Sequence, residues 1–135
     1  GIASLCVQPC YVKALAQHFP GGVPICTVVG FPHGCEPAAV KAAAARHAFA
    51  HGASEVDMVA PLGRIKAGDY SAVQREVAAV LAERPAGGKV KVILETGALT
   101  DEEILGTVQA LNDLDIYFYK TSTGFCYPGA SVHAA

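Results

Sequence analysis

The sequence predicts an α/β domain made of consecutive parallel βα units, and three observations carry that prediction. Short runs rich in valine and its relatives recur along the chain, spaced by roughly the ~30 residues of one βα unit. These runs are nearly continuous in apolar residues, as strands are when both sheet faces are covered. Between them lie longer segments that carry helix start and stop signals.

In chain order, strands are expected over 4–8, 25–31, 55–60, 90–95 and 116–120, with helices over 11–19, 37–51, 71–83 and 102–112. Gly21-Gly22 sits where the first helix should end, and Gly52 where the second should. Pro37 suits a first helical position after Glu36. The second helix is alanine-rich, which favours helix and calls for close packing through small side chains. Thr100-Asp101-Glu102-Glu103 has capping-box spacing ahead of the last helix. The aromatic and aliphatic run Ile116-Tyr117-Phe118-Tyr119 reads as a buried strand, with Thr121-Ser122-Thr123-Gly124 as the loop leaving it. No stretch reads as a linker, so residues 1–135 form one domain.

Composition narrows the function classes. With 52% hydrophobic and 16% charged residues in a chain of 135, the protein can bury a real core. The net charge is −2 and no basic stripe exists, which argues against nucleic-acid binding. Apolar runs break well before membrane-spanning length, and no signal-peptide pattern opens the chain. The chain begins Gly1-Ile2-Ala3, so a native start ahead of Gly1 is expected. Cys6, Cys10, Cys26, Cys35 and Cys126 form no CxxC pair, which points to reduced thiols in a cytoplasmic protein and away from a zinc site. His47 and His51 have a metal-compatible spacing but no evident third ligand; a histidine closing a helix is the plainer reading.

Lys120 is the most telling residue. It ends an apolar run, where an ammonium loses hydration and seldom goes unpaired. Desolvation lowers a lysine pKa, and a neutral amine can attack a carbonyl to form a Schiff base. The plainer alternative is an edge-strand lysine whose head reaches water. Asp57 and Lys91 are likewise single polar residues in valine-rich strands. Thr27, Asp57, Lys91 and Lys120 follow at separations near one βα unit, so they can share a level on adjacent strands. If all point inward, a carboxylate and two amines converge. A second ammonium would depress Lys120 further, and Asp57 could relay protons through a water. A self-satisfied buried Asp–Lys pair is the competing explanation.

Cys6 faces the same predicted interior and is either a ligand contact or plain core. Glu55 and Glu95 share strand parity with Asp57 and Lys91, as pairing carboxylates or as solvated groups at a barrel end. The loop 121–124 offers hydroxyls and amides at a strand's C-terminal end, where βα loops bind ligands. Gly30-Phe31-Pro32-His33-Gly34 is a comparable loop, with His33 expected in solvent.

At these residues the chain resembles the deoxyribose-phosphate aldolases, class I aldolases of the (βα)8 TIM-barrel type. The segments that carry the resemblance are Ser4-Leu5-Cys6-Val7-Gln8-Pro9, Val29-Gly30-Phe31-Pro32-His33-Gly34 and Gly52-Ala53-Ser54-Glu55-Val56-Asp57-Met58-Val59. They continue through Gly68-Asp69-Tyr70, Lys91-Val92-Ile93-Leu94-Glu95-Thr96 and Lys120-Thr121-Ser122-Thr123-Gly124-Phe125. The last is the most specific, because the family's Schiff-base lysine opens it. The resemblance implies Lys120 as nucleophile, Asp57 in the proton relay and Lys91 assisting. Thr123 and Gly124 would lie near the substrate hydroxyl and phosphate.

The implied reaction is reversible cleavage of 2-deoxy-D-ribose 5-phosphate to D-glyceraldehyde 3-phosphate and acetaldehyde, needing neither metal nor organic cofactor. A full barrel takes ~250 residues, so this chain is expected to cover about five of the eight βα units. The family's first strand, its second essential lysine and its glycine-rich phosphate loops would fall outside residues 1–135. Little turnover by the chain alone, and a tendency to form homo-oligomers through open sheet edges, are therefore expected. Two readings stand beside this one. The chain could be a non-catalytic assembly or phosphosugar-binding module derived from the barrel, or another Schiff-base aldolase with a different substrate.

Overall fold

The computed structural model describes residues 1–132. Five strands, β1 (Leu5–Val7), β2 (Ile25–Val29), β3 (Glu55–Val59), β4 (Lys89–Ile93) and β5 (Phe118–Lys120), form one sheet in the order β1-β2-β3-β4-β5. Every neighbouring pair is parallel. The helices are α1 (Val12–His18), α2 (Ala38–Ala50), α3 (Leu62–Lys66), α4 (Tyr70–Leu81) and α5 (Asp101–Leu111). Short 3-10 turns precede α1 at Pro9–Tyr11 and follow β4 at Thr96–Ala98. Sequential parallel strands with a crossover helix in every gap make an arc of five βα units, as the sequence predicts.

Alternation along each strand sorts the side chains. Ile25, Val29, Val56, Met58, Val90 and Val92 join the buried helix-side cluster, with Val73 and Val77 of α4 and Leu111 of α5. The opposite face, the inward one, receives Cys6, Cys26, Glu55, Asp57, Lys91 and Lys120. The alanine-rich α2 buries Ala42, Ala45 and Ala48, so it approaches the core closely.

Helix boundaries follow local chemistry. Thr100 and Glu103 form the reciprocal capping box at the start of α5. Asp69 caps α4 by accepting from the Ala72 amide at 3.1 Å. Pro37 stands at the N-cap of α2, one position earlier than predicted, with extended ψ of 147°. His51 closes α2: its Nδ1 lies 2.8 Å from the His47 carbonyl, and the two rings sit 4.0 Å apart in a tilted stack. That pair serves the helix end, as the plainer reading held. The short α3 was not foreseen, since a single turn opened by Pro61 has too few residues to show a period.

One tight contact fixes the loop after β2. Gly34 has φ +67°, and a Cβ there would lie 2.1 Å from the Ala60 carbonyl oxygen. Glycine is required on both counts. Lys41 of α2 reaches beneath this loop. Its Nζ donates to the Gly34 carbonyl at 2.8 Å, the Val59 carbonyl at 2.9 Å and the Glu76 carboxylate at 2.6 Å. One lysine thus joins the β2 loop, strand β3 and helix α4.

The strand at 116–120 departs from its reading as a buried element. Tyr117, Phe118 and Tyr119 are exposed, because among the described residues β5 has a strand neighbour on one side only. Among the described residues no helix is long and apolar enough to cross a membrane.

Candidate active site

The fold brings Asp57, Lys91 and Lys120 together on the inward face. Asp57 is 1% exposed and holds the centre. Its Oδ2 accepts from the Lys120 Nζ at 2.5 Å, and its Oδ1 lies 3.2 Å from the Lys91 Nζ. Asp57 and Lys91 occupy the same rung of the β3–β4 ladder. Lys120 stands opposite Ile93, one inward-facing level higher. Its flexible stem spans that step, and its side chain remains 40% exposed. The nucleophile candidate is therefore reachable while its partner is sealed.

Thr27 does not join the group. In the β2–β3 register it pairs with Val56, and its hydroxyl donates to the Val7 carbonyl at 2.8 Å on the helix side. Shifting by one residue reverses the face in a strand, and Cys26 takes the inward position instead. Its Sγ donates to Asp57 Oδ1 at 3.2 Å, with the Lys91 Nζ at 3.7 Å. Cys6 lies directly across on β1, in register with Cys26. A hydrogen bond from Cys26 lowers the Cys6 thiol to about 7, helped by Lys120 and Lys91 and opposed by burial and Asp57. Cys26 moves strongly the other way, through that same hydrogen bond, burial and the Asp57 charge.

Glu55, open to two readings in the sequence, is a pairing carboxylate. It accepts from Lys91 at 2.5 Å and from Lys89 at 3.4 Å. Burial works to raise the Glu55 carboxyl, but the two ammonium groups outweigh it and hold it below the ordinary carboxylate range. Burial likewise works to lower Lys91, yet Glu55, Cys26 and Asp57 together hold it above the ordinary ammonium range. Lys91 is a persistent positive charge.

A pH dependence follows with a definite sign. A depressed folded-state carboxyl stabilises the fold above its unfolded value of ~4.3 and loses that contribution as pH falls through the folded value. A raised lysine stabilises below ~10.4 and loses its share as pH rises through its folded value. The stability gap between the protein and Glu55→Gln is therefore expected to be widest between about pH 5 and pH 10. Urea unfolding across that series measures it; a gap that stays constant on acidification would refute the pairing.

Glu95 follows β4 with φ +51°, the only positive φ outside glycine among the described residues. It is fully buried, and its carboxylate accepts from the Thr123 amide at 3.1 Å and from the Thr123 hydroxyl. That carboxylate positions the loop after β5. The Thr123 hydroxyl in turn accepts from the Phe125 amide at 3.2 Å. Gly124 has φ +80° with open space where a Cβ would stand. His33 is exposed as expected, with its Nδ1 3.4 Å from the Cys126 thiol.

A cleft of about 370 Å³ borders the site, lined in part by Glu55, Lys91, Phe118 and Lys120. A larger hollow of about 700 Å³ between α2 and α4 contains none of the predicted site residues. The smaller one adjoins a reachable amine, a buried carboxylate in contact with it and a second ammonium.

A scan against protein-family models finds no match. Comparison with individual proteins does. The chain is 47% identical over 129 residues to a deoxyribose-phosphate aldolase of Halobacterium salinarum, covering 96% of this chain and 60% of that one. Among solved structures, an aldolase called QR15 superposes with a TM-score of 0.90 at 36% identity, over 99% of this chain and 60% of that one. The tetrameric deoxyribose phosphate aldolase from Aeropyrum pernix gives a TM-score of 0.81 at 33% identity, over 93% and 53% of the two chains. These likenesses bear out the arc of five βα units as part of a TIM barrel. In sequence and in fold the chain matches part of the deoxyribose-phosphate aldolases, spanning about 60% of the length of the curated relative quoted.

Proposed function

We propose that the inward face is the imine-forming part of a class I aldolase site, acting on 2-deoxy-D-ribose 5-phosphate. The observation that carries this reading is the contact of Lys120 Nζ with the buried Asp57 at 2.5 Å, beside the fixed ammonium of Lys91. Attack on an aldehyde requires Lys120 to shed a proton, and Asp57 is the acceptor within reach. The amine adds to the C1 aldehyde to give a carbinolamine, which loses water to form an iminium. The iminium accepts the electron pair of the breaking C2–C3 bond as the C3 hydroxyl gives its proton to a base, releasing D-glyceraldehyde 3-phosphate. Protonation and hydrolysis of the enamine then release acetaldehyde and restore Lys120. Lys91 supports the carbinolamine steps by holding positive charge beside developing oxyanions.

Thr123 and Gly124 are assigned to the substrate hydroxyl and phosphate, and Cys6 to the floor of the site. The Glu95 carboxylate holds Thr123 where the loop can meet a ligand. No resident metal or organic cofactor enters these steps. Irregularly spaced cysteines favour a cytoplasmic setting for this phosphosugar chemistry. Exposed aromatic residues on β5 and a tetrameric relative favour assembly into a homo-oligomer. The 135-residue chain alone is expected to turn over little substrate, since it spans only part of its relatives' length. No observation favours a non-catalytic binding or assembly module over this reading.

Limiting acetaldehyde with borohydride, followed by peptide mapping, tests the proposal. The expected result is one ethyl group per chain, on Lys120. Ethylation spread over surface lysines with Lys120 untouched would overturn it.

A further inference from the structure

Two thiols and a carboxylate converge on the floor of the inward face. Cys6 and Cys26 stand opposite each other on adjacent strands, and Asp57 lies diagonally across from Cys26 on the next. Their ligand atoms, two sulfurs and one carboxylate oxygen, all lie within 4.8 Å of one another. Zinc takes thiolate at ~2.3 Å and carboxylate at ~2.0–2.2 Å in tetrahedral geometry, which sets ligand atoms roughly 3.5–3.8 Å apart. The Cys26 Sγ to Asp57 Oδ1 distance is already 3.2 Å. Only modest side-chain rotation separates the trio from a coordinating arrangement. Cys6 is exposed, so an ion can enter from solvent and keep a fourth position open.

Charge and softness select the ion. Two thiolates and a carboxylate around a divalent cation carry one net negative charge. Lys91, 3.7 Å from the Cys26 sulfur, and Lys120, 2.5 Å from Asp57, face that charge as ammonium donors. Glu55, another acid on this face, is occupied by Lys91 and Lys89. Sulfur donors favour zinc-class ions over magnesium or calcium, which take oxygen. We infer that Cys6, Cys26 and Asp57 form a binding site for a thiophilic divalent cation of the zinc class. The binding site does not rest on the function proposed above.

Cobalt(II), a spectroscopic stand-in for zinc, tests the site directly. Titrated into the reduced 135-residue chain, it is expected to bind one ion per chain with a thiolate-to-metal charge-transfer band that zinc then abolishes. Cys6→Ser should lose the band; Cys6 is exposed, so this change leaves the core intact. Cys26→Ala should lose it as well. A variant with Cys10, Cys35 and Cys126 all changed to serine should retain it. Lys120→Met should retain it too, which separates metal binding from any failure of the aldolase reading. Absence of the band overturns the inference. So does a band that survives Cys6→Ser, or one lost on Cys126→Ser, which would place the ion at the Cys126–His33 contact.

Discussion

Replacing Lys120 with methionine is expected to remove the borohydride-trapped ethyl adduct entirely. Methionine keeps an unbranched side chain of similar reach but has no nitrogen to form the imine. The Lys120 side chain is 40% exposed at the end of an edge strand, so the loss cannot be assigned to a collapsed core. Asp57→Asn is the informative companion. The amide preserves shape but cannot take a proton, and losing a positioned general base slows a reaction by about 10²–10⁴-fold. Adduct formation should therefore slow in Asp57→Asn yet still map to Lys120. Rates at several aldehyde concentrations, read by intact mass, distinguish the two variants. An undiminished adduct in Lys120→Met would show that another lysine is the nucleophile.

The second large effect is structural and lies away from the reacting amine. Lys41 is 1% exposed and satisfies two buried carbonyls and the Glu76 carboxylate. Lys41→Met would leave a largely buried carboxylate and two carbonyls without their donor. Breaking a buried ion pair in this way costs about 3–5 kcal/mol, enough to lower Tm by roughly 10 °C or more. Thermal and urea unfolding check the figure. The double variant Lys41→Met/Glu76→Leu should recover part of the loss, because it removes the stranded charge as well. A loss below about 1 kcal/mol would mean that water replaces the ammonium.

Much of this architecture can be read from residue pattern alone, and the failures have physical causes. Asp57, Lys91 and Lys120 stand out because each interrupts an apolar strand. The capping box at Thr100 and Glu103 follows from a local motif that tertiary packing does not alter. Inward facing was harder to assign. For β2 the face depends on a one-residue register that a continuous apolar run leaves open, and Thr27 and Cys26 exchanged places as a result. The exposure of Tyr117 and Phe118 depends on what lies beside β5, which a strand's own sequence does not encode. The one local signal that Lys41 is buried is its spacing to Ala45 and Ala48, which places it on the inner face of α2.

The sequential strand order bears on how the chain comes to be folded. Among the described residues each strand after β1 pairs with the one made just before it. Contacts of short sequence separation lower the loop-closure cost and speed folding. An arc of this kind can grow during synthesis by accretion, with every new βα unit docking on an edge already formed. The same property makes the growing edge adhesive at each stage, and among the described residues β5 with its exposed aromatics carries such an edge.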